Sequence, residues 1–249
     1  MNVRGVTCHS LFGLPIGVPL TEDFMKIPFK MRELFNNWSP VKRIVISECS
    51  MLRTDMFELI NSRLQMLRGN REPFGGIQVV MEGDYFQLDP IVSPRDEKLF
   101  YREYESPFNF TSDIFDFEIV ELTEVLRQSN KRQIDMLNSI RRKDKYYKFA
   151  LDAIIKESKP YVPSKDVTHL CCYKKDANKY NKKYFNELTT PVYSFEAKIT
   201  GNDKWTDSIV PHTLKLREGA RVILKCNDQD GQFVNSLKYF LLYLLASFL

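Results

Sequence analysis

The chain has 249 residues, of which 43% are hydrophobic and 27% are charged. This composition excludes a disordered or fibrous chain and provides apolar material for one large domain or two smaller ones. The formal net charge of +4 permits a nucleic-acid partner without requiring one, because net charge acts on long-range attraction rather than on fold.

Cysteine and histidine spacing excludes the common zinc motifs. The five cysteines include no C-x-x-C pair, and the three histidines lie far apart in the chain. This usage favours a reducing intracellular setting, such as cytoplasm, nucleus or a viral factory, over secretion. We expect no signal peptide at residues 2–13 and no membrane partner, because the apolar segment at residues 239–249 is too short to cross a bilayer.

The first half of the chain alternates predicted helices and strands. Apolar residues at helical spacing predict a helix over Pro28–Trp38, and a short β-branched strand follows at Arg43–Ile46. Thr54 is predicted to cap the next helix. A loop at residues 69–76, which contains Gly and Pro, leads into a buried strand at Ile77–Met81. The predicted core faces of the two helices hold Met31, Leu34, Phe35, Trp38, Met56, Leu59, Ile60 and Leu64.

The alternation continues in the second half. The further predicted elements are a strand at Glu118–Leu122, a helix over Lys131–Arg142 with Ile134, Leu137 and Ile140 facing inward, a strand at Val167–Tyr173, a helix over Asp176–Leu188 and a strand at Arg221–Cys226. Two prolines and several charges predict a linker at residues 156–166, between a domain at 1–155 and one at 167–249. Strands that alternate with helices favour a parallel sheet with right-handed crossovers.

Charge is unevenly distributed along the chain. Between residues 141 and 183 there are thirteen Lys or Arg and only five Asp or Glu, with five interspersed tyrosines. Basic side chains beside aromatic rings suit single-stranded nucleic acid, whose backbone is anionic and whose bases stack. A solvated helical face with ordinary core tyrosines accounts for the same composition.

Two strand ends carry polar residues suited to nucleotide chemistry. The strand at 43–46 ends in Ser47 and Glu48, at a position where NTPases normally present Asp-Glu. The strand at 77–81 leads into Gly83-Asp84, with Gln87 three residues later. Ligands of open α/β sheets bind beyond the carboxyl ends of the strands, so both sets point to one crevice. The alternatives are an incidental Glu and an ordinary β-turn.

Two further segments carry candidate residues. Arg127 follows a predicted strand and has the charge and reach to contact a γ-phosphate across a cleft, although a surface ion pair with Glu124 is the common alternative. Near the start, Thr7, His9 and Ser10 precede an apolar helix start, where they could contact a nucleic-acid backbone. A lone His is more often structural.

Taken in order, these segments resemble the superfamily 1B DNA helicases of the PIF type, relatives of RecD and Dda. The matching segments are Thr7–Ser10, Val45–Met51, Pro73–Val80, Gly83–Leu88, Leu122–Gln128 and Leu216–Leu224 with Asn227, Val234 and Asn235. The resemblance implies an α/β protein of the P-loop NTPase type. Its RecA-like parallel sheet would be flanked by helices and would lack its first strand and phosphate loop, and an incomplete second RecA-like domain would follow.

The resemblance also implies roles for individual residues. Glu48 would be the catalytic base, Gln87 the γ-phosphate sensor and Arg127 the arginine finger in an ATP and Mg²⁺ site. Asp84 would couple nucleotide state to the grip on DNA, while Ser47 and Glu48 would lie at the metal. Single-stranded DNA or DNA junctions would be the partner, contacted by Thr7, His9 and Ser10, in a setting of DNA repair and recombination.

The chain departs from the family pattern at the nucleotide site. No G-x-x-x-x-G-K-[ST] occurs in the 249 residues, Ser47 replaces the Mg-binding Asp, and Asp89 replaces a family proline. The later family motifs that would follow Asn235 are not found either. We therefore expect a truncated helicase body without independent ATP hydrolysis. A non-catalytic module that binds single-stranded nucleic acid remains an alternative, as does a phosphate loop supplied by an upstream segment or another polypeptide.

Overall fold

The computed structural model describes residues 5–35, 41–158, 164, 167–198, 211–223 and 238–240. The chain divides into two compact units, Met1–Glu157 and Ser158–Leu249. Among the described residues, no helix is both long enough and apolar enough to span a membrane.

The first unit begins with three short helices, α1 (Cys8–Phe12), α2 (Thr21–Phe24) and α3 (Phe29–Phe35). Helix α3 lies within the predicted helix, whose Trp38 falls outside the described residues. Met31 and Phe35 are buried as predicted. The prediction for Leu34 was wrong, because its side chain is 40% exposed.

A parallel strand pair forms the centre of the first unit. Strand β1 (Arg43–Ser47) pairs in parallel with β2 (Gln78–Glu82), so that Ser47 lies opposite Glu82. The connection contains helix α4 (Thr54–Arg68) and a 3₁₀ turn at Pro73–Gly76. A parallel pair joined through a helix is the predicted α/β pattern, and it places both carboxyl strand ends at one edge.

Helix α4 supplies much of the core. Its predicted core residues are all buried, and Phe57 is fully buried with them. The capping prediction was wrong, because Arg53 occupies the N-cap and Thr54 is the first helical residue. The Thr54 hydroxyl instead donates to the carbonyls of Ser106 (3.1 Å) and Phe108 (2.6 Å), so it anchors a distant loop.

After β2 the chain forms α5 (Glu97–Glu103) and a 3₁₀ turn at Asn109–Thr111. The predicted strand at Glu118–Leu122 was wrong, because these residues form no regular element. Ile119 is 81% exposed and Leu122 is 89% exposed. Apolar, β-branched sequence alone does not make a strand, because a strand also needs ladder partners and burial.

Two packed helices complete the first unit, α6 (Lys131–Arg142) and α7 (Tyr147–Glu157). Helix α6 has its predicted bounds. Its predicted inward face was partly wrong, because Leu137 is 41% exposed while Ser139 is buried. Helix α7 also includes residues 156–157, where the linker was predicted to start.

The second unit contains helix α8 (Lys174–Glu187), the antiparallel pair β3 (Tyr193–Glu196) and β4 (Thr213–Leu216), and the antiparallel pair β5 (Arg221–Ile223) and β6 (Lys238–Phe240). The prediction of a strand at Val167–Tyr173 was wrong, because Leu170 is fully exposed and Tyr173 is the N-cap of α8. Residues 224–226 of the last predicted strand lie outside the described residues.

Candidate functional site

The two parallel strands present polar residues at their shared carboxyl edge. Ser47 ends β1 and Glu82 ends β2, and the Ser47 hydroxyl donates a hydrogen bond to the Glu82 carboxylate. Both residues are exposed. Glu82 was not predicted as a site residue, since its position opposite Ser47 depends on a strand register that the sequence does not show.

Glu48 lies in the turn that follows β1. Its backbone is left-handed, with φ 55° and ψ 44°, and its side chain is exposed. A non-glycine residue in this region costs of the order of 1 kcal/mol or more and persists only where the surrounding structure imposes it. The 3₁₀ turn Cys49–Met51 follows directly, and its Cys49 and Ser50 are buried.

The turn after β2 lies against the turn after β1. A Cβ added at Gly83 would stand 2.9 Å from both the backbone N and the Sγ of Cys49. This spacing leaves no room for a side chain, and so glycine permits the close approach of the two turns. The Glu48 turn and the Asp84–Gln87 turn are therefore neighbours in space.

Asp84 organises its own turn. Its Oδ1 accepts from the backbone N of Phe86 (3.0 Å), and its Oδ2 accepts from Nε2 of Gln87 (3.0 Å). The backbone N of Gln87 also donates to the carbonyl of Asp84 (3.0 Å). The β-turn anticipated as an alternative is thus present, and it holds the exposed Gln87 side chain beside Asp84.

Arg141 is a partner of Asp84 that the sequence reasoning missed. Its NH2 donates to Asp84 Oδ1 at 2.8 Å, and its guanidinium lies 4.9 Å from the centre of the Phe86 ring. The Arg141 hydrogen bond is the main cause of a lowered pKa at Asp84. A contact between residues 57 positions apart leaves no local pattern, although Arg141 does begin the basic stretch noted above.

A buried amide joins the same two turns from below. Asn109 is fully buried, and its Nδ2 donates to the carbonyls of Cys49 (2.7 Å) and Leu52 (2.9 Å). Its Oδ1 accepts from the Tyr85 hydroxyl at 2.5 Å. Burial of that phenol raises the pKa of Tyr85 well above its usual value.

Arg127 is exposed and belongs to no helix or strand. Within the part of the chain that the structure describes, it makes neither a hydrogen bond nor an ion pair, so the anticipated pair with Glu124 is not formed there. No such contact connects it to Glu48 or Gln87. Its role as an arginine finger stays a prediction.

The predicted DNA-contacting residues lie around the start of α1. Thr7 is the N-cap and accepts from the backbone N of Ser10 at 3.2 Å, while His9 and Ser10 are exposed. Lys30, on α3, donates to the Ser10 hydroxyl at 3.4 Å and adds a positive charge to this surface.

Helix α1 is held in place from beneath by Arg63. This buried side chain donates to the carbonyls of Phe12 (2.6 Å), Gly13 (2.9 Å) and Asp23 (2.8 Å from NH2). Burial lowers the pKa of its guanidinium. Arg63 therefore supplies buried donors to carbonyls at the C-terminal ends of α1 and α2, in addition to the backbone caps of these helices.

The basic, aromatic stretch contains a ring stack in the second unit. The rings of His169 and Tyr180 are stacked with their centres 4.6 Å apart, and Lys183 lies 5.3 Å from the centre of the Tyr184 ring. Tyr173 is 72% exposed. In the first unit, Tyr146 is 59% exposed. The prediction of ordinary core tyrosines does not hold for these two exposed rings.

Comparison with known proteins assigns the family. The family model described as PIF1-like helicase matches residues 1–151 of the chain. The chain belongs to the PIF1-like helicase family. The resemblance drawn from the ordered motifs is thereby confirmed.

Curated relatives of this PIF1-like chain are ATP-dependent DNA helicases. It is 28% identical to the helicase PIF1 of Emericella nidulans over 92% of its own length and 31% of that protein. It is 27% identical to Pif1 of Campylobacter jejuni over 94% of its own length and 55% of that protein. The chain thus spans from about a third to just over half of these relatives.

Solved PIF1-type structures confirm the RecA-like α/β fold. The chain matches Bacteroides Pif1 bound to single-stranded DNA with a TM-score of 0.79 and 31% identity, over 96% of the chain and 56% of that structure. It matches Bacteroides Pif1 in complex with ADP-AlF3 and single-stranded DNA with a TM-score of 0.74 and 30% identity, over the same shares of the two chains.

Proposed function

We propose that this chain is the body of a PIF-type helicase that couples ATP hydrolysis to movement on single-stranded DNA and to duplex unwinding. One observation carries the proposal: the Glu48 turn and the Asp84–Gln87 turn meet at the carboxyl edge of a parallel sheet. Ligands bind at this edge in open α/β folds. The ATP-dependent DNA helicases among its relatives support the assignment.

Each candidate residue has a chemistry that suits the reaction. The exposed carboxylate of Glu48 would accept a proton from the attacking water. The Gln87 amide can donate to a terminal phosphate, and its link to Asp84 would pass the presence of that phosphate to Arg141 and α6. Arg127 would bring positive charge to the developing phosphoryl charge.

The strand ends also carry a hydroxyl and two carboxylates, whose oxygens are the type of donor that a magnesium ion binds. Mg²⁺ prefers oxygen donors and keeps several of its waters, so a hydroxyl and two carboxylates suit its hydrated form. Ser47 alone lacks the negative charge of an Asp, but the Glu82 carboxylate that it contacts supplies one. We propose that Ser47, Glu48 and Glu82 would hold the ion, which would neutralise phosphate charge.

The phosphate-binding loop is the part that these 249 residues do not contain. Backbone amides and a lysine of such a loop are the main anchor for the β- and γ-phosphates. We propose that turnover depends on a loop supplied by an upstream segment or by another polypeptide. A search of the neighbouring coding sequence for a Gly-Lys-Thr or Gly-Lys-Ser stretch tests this directly, and finding none would remove the first source.

DNA would contact the surface around the start of α1. Thr7, His9, Ser10 and Lys30 provide hydroxyl, imidazole and ammonium groups that suit a phosphate backbone. Bacteroides Pif1, a structural relative, is bound to single-stranded DNA, and a further Pif1 structure concerns DNA unwinding at forked duplex DNA. We extend single-stranded DNA and junctions to this chain, and with them an intracellular location where DNA is handled.

Fluorescence anisotropy with a labelled single strand tests the proposed surface. We expect binding that weakens as salt rises, because counterions are released from the DNA. A His9→Ala/Lys30→Ala variant should bind more weakly and lower the salt slope by about 1. Lys26→Ala is the matched control, since Lys26 is an exposed lysine paired with Glu22. Equal affinity of the double variant and the control would contradict the proposal.

A second candidate function is a non-catalytic module for single-stranded nucleic acid. The exposed Tyr173 and the stacked His169 and Tyr180 beside lysines of α8 favour it. It predicts that Tyr173→Ala/Lys179→Ala abolishes binding while His9→Ala/Lys30→Ala does not. The opposite pattern supports the helicase surface and removes this candidate.

A further inference from the structure

We propose that Asn109 is a positioning residue that locks the Glu48 turn to the Gln87 turn and so sets the geometry of the nucleotide edge. The inference rests on the proposed function for the roles of Glu48 and Gln87. Asn109 itself lies outside the short motifs that carry the family resemblance, and its side-chain hydrogen bonds go to Cys49, Leu52 and Tyr85 rather than to the Glu48 or Gln87 side chain.

The side-chain amide of Asn109 makes three hydrogen bonds to the two turns. Its two N–H groups donate to the backbone carbonyls of Cys49 and Leu52, in the turn after Glu48. Its oxygen accepts a hydrogen bond from the Tyr85 hydroxyl. Two carbonyl acceptors on one side and a hydroxyl donor on the other permit one orientation of the amide. Because the group is fully buried, water cannot replace any of these bonds.

Tyr85 connects the amide to the second turn. It follows Asp84 directly, and its ring packs edge-on against Phe110 with ring centres 5.0 Å apart. The Cys49 thiol lies 3.8 Å from the Tyr85 oxygen, so thiol, phenol and amide form one hydrogen-bonded chain. A shift of either turn would break a bond in this chain.

The loop that carries Asn109 is fixed to the core. Thr54, at the start of α4, donates to the carbonyls of Ser106 and Phe108, and its backbone N donates to the carbonyl of Pro107 (3.0 Å). The Phe108 and Phe110 rings also stack, with centres 5.1 Å apart. Asn109 therefore acts from a rigid base, which a positioning group needs.

Nuclear magnetic resonance on the whole chain tests the lock. The probes are the backbone amides of Cys49–Leu52, for which hydrogen exchange is measured, and the side-chain amide signals of Gln87. Asn109→Asp keeps an acceptor for Tyr85 but removes both donors to the first turn. We expect exchange in the first turn to rise by about five-fold or more and the Gln87 signals to move, although the side-chain hydrogen bonds of Asn109 do not go to Gln87.

Thr111→Ala is the matched control, because Thr111 belongs to the same 3₁₀ turn and, among the described residues, its hydroxyl bonds only the Phe108 carbonyl (2.7 Å). It should leave both probes unchanged. Tyr85→Phe keeps the ring and removes the hydroxyl, and it should move the Gln87 signals even if the Asn109 variant does not fold. Unmoved Gln87 signals in Tyr85→Phe, or in a folded Asn109→Asp chain, would overturn the lock.

Titration with Mg-ATP separates this inference from the proposed function. In the unsubstituted chain, millimolar Mg-ATP should perturb the Glu48 and Gln87 signals, and Asn109→Asp should reduce that perturbation. Perturbation that is equal in the two chains would overturn the positioning role. If the unsubstituted chain shows none, the proposed nucleotide contact fails, while the exchange and Gln87 results still decide whether the lock exists.

Discussion

Arg141 and Asp84 form an ion pair at 2.8 Å that joins the turn after β2 to the end of α6. The Asp84 carboxylate also accepts a hydrogen bond from the Gln87 side-chain amide, and the Arg141 guanidinium lies over the Phe86 ring. The proposed phosphate sensor, Gln87, is thus hydrogen-bonded to one partner of an ion pair whose other partner lies on α6. We propose that a change at Gln87 is passed to α6 through Asp84.

Replacing Arg141 with alanine should raise the pKa of Asp84 towards its ordinary value. The pair lowers that pKa in the folded chain, so its stabilisation is present above the unfolded pKa, about 3.9, and is lost as pH falls through the folded pKa. Because Arg141 is more than a third exposed, we expect a cost of about 0.5 kcal/mol at neutral pH. Carboxyl resonances followed from pH 7 to pH 2 measure the shift.

Arg142→Ala is the control for that titration, since Arg142 lies next in the chain and pairs with Glu121 at 3.6 Å. It should leave the Asp84 titration unchanged. An Asp84 curve that is the same in Arg141→Ala and in the unsubstituted chain would show that the ion pair does not form in solution.

Gly83→Ala should disturb the Glu48 turn. The added methyl would stand 2.9 Å from the backbone N of Cys49, which cannot move aside as a flexible side chain could. We expect a loss of about 1–3 kcal/mol in the free energy of unfolding, measured with urea. Gly5→Ala has nothing within 4 Å of the new methyl and should change stability by less than about 0.5 kcal/mol. Equal stability of the two variants would contradict the close approach of the turns.

Arg63→Met should destabilise helix α1, which carries the proposed DNA-contacting residues. The substitution keeps the apolar stem but leaves the carbonyls of Phe12 and Gly13 without their buried donor. We expect a cost of about 3 kcal/mol and faster hydrogen exchange in α1. The exposed Arg71 provides the control, because Arg71→Met should leave α1 unaffected. Unchanged protection of α1 in Arg63→Met would contradict the anchoring role.

Glu82→Gln should weaken cation binding at the strand ends. The substitution removes a negative charge beside Ser47 while keeping the size of the side chain. With Mn²⁺ as a paramagnetic stand-in for Mg²⁺, we expect affinity to fall about ten-fold or more, measured by water proton relaxation. Glu103→Gln removes an exposed charge at the end of α5 and should have no effect. Equal affinity in both variants would exclude Glu82 from the proposed ion site.

The sequence predicted elements well where local pattern and final packing agree. β1 and α4 follow from apolar spacing because the same side chains fill the core. The strand β2 was also predicted, but its predicted burial was wrong, because its residues alternate between exposed and partly buried and Val80 is 40% exposed. The segment Glu118–Leu122 has the composition of a strand, but strand formation depends on partners that composition does not specify. Thr54 has the character of a cap, yet its hydroxyl serves a loop more than fifty residues away.

The same distinction applies to the candidate site. Glu48, Asp84 and Gln87 could be singled out from the sequence because they lie in the short motifs that follow two strands, and their roles stay predictions. Glu82, Asn109 and Arg141 could not, because their importance comes from strand register and from long-range contacts. A buried Asn in an unremarkable Phe-Asn-Phe segment carries no signal until its three partners are in place.

DNA-stimulated ATP hydrolysis by the purified 249-residue chain tests most directly whether the site at the carboxyl edge of β1 and β2 needs an external phosphate loop. Rates should be measured with and without single-stranded DNA, in the unsubstituted chain and in Glu48→Gln. We expect both proteins to stay at the buffer background, because the residues that anchor the β- and γ-phosphates are not among the 249. Turnover that rises with DNA and disappears in Glu48→Gln would show that the chain hydrolyses ATP without an external phosphate loop.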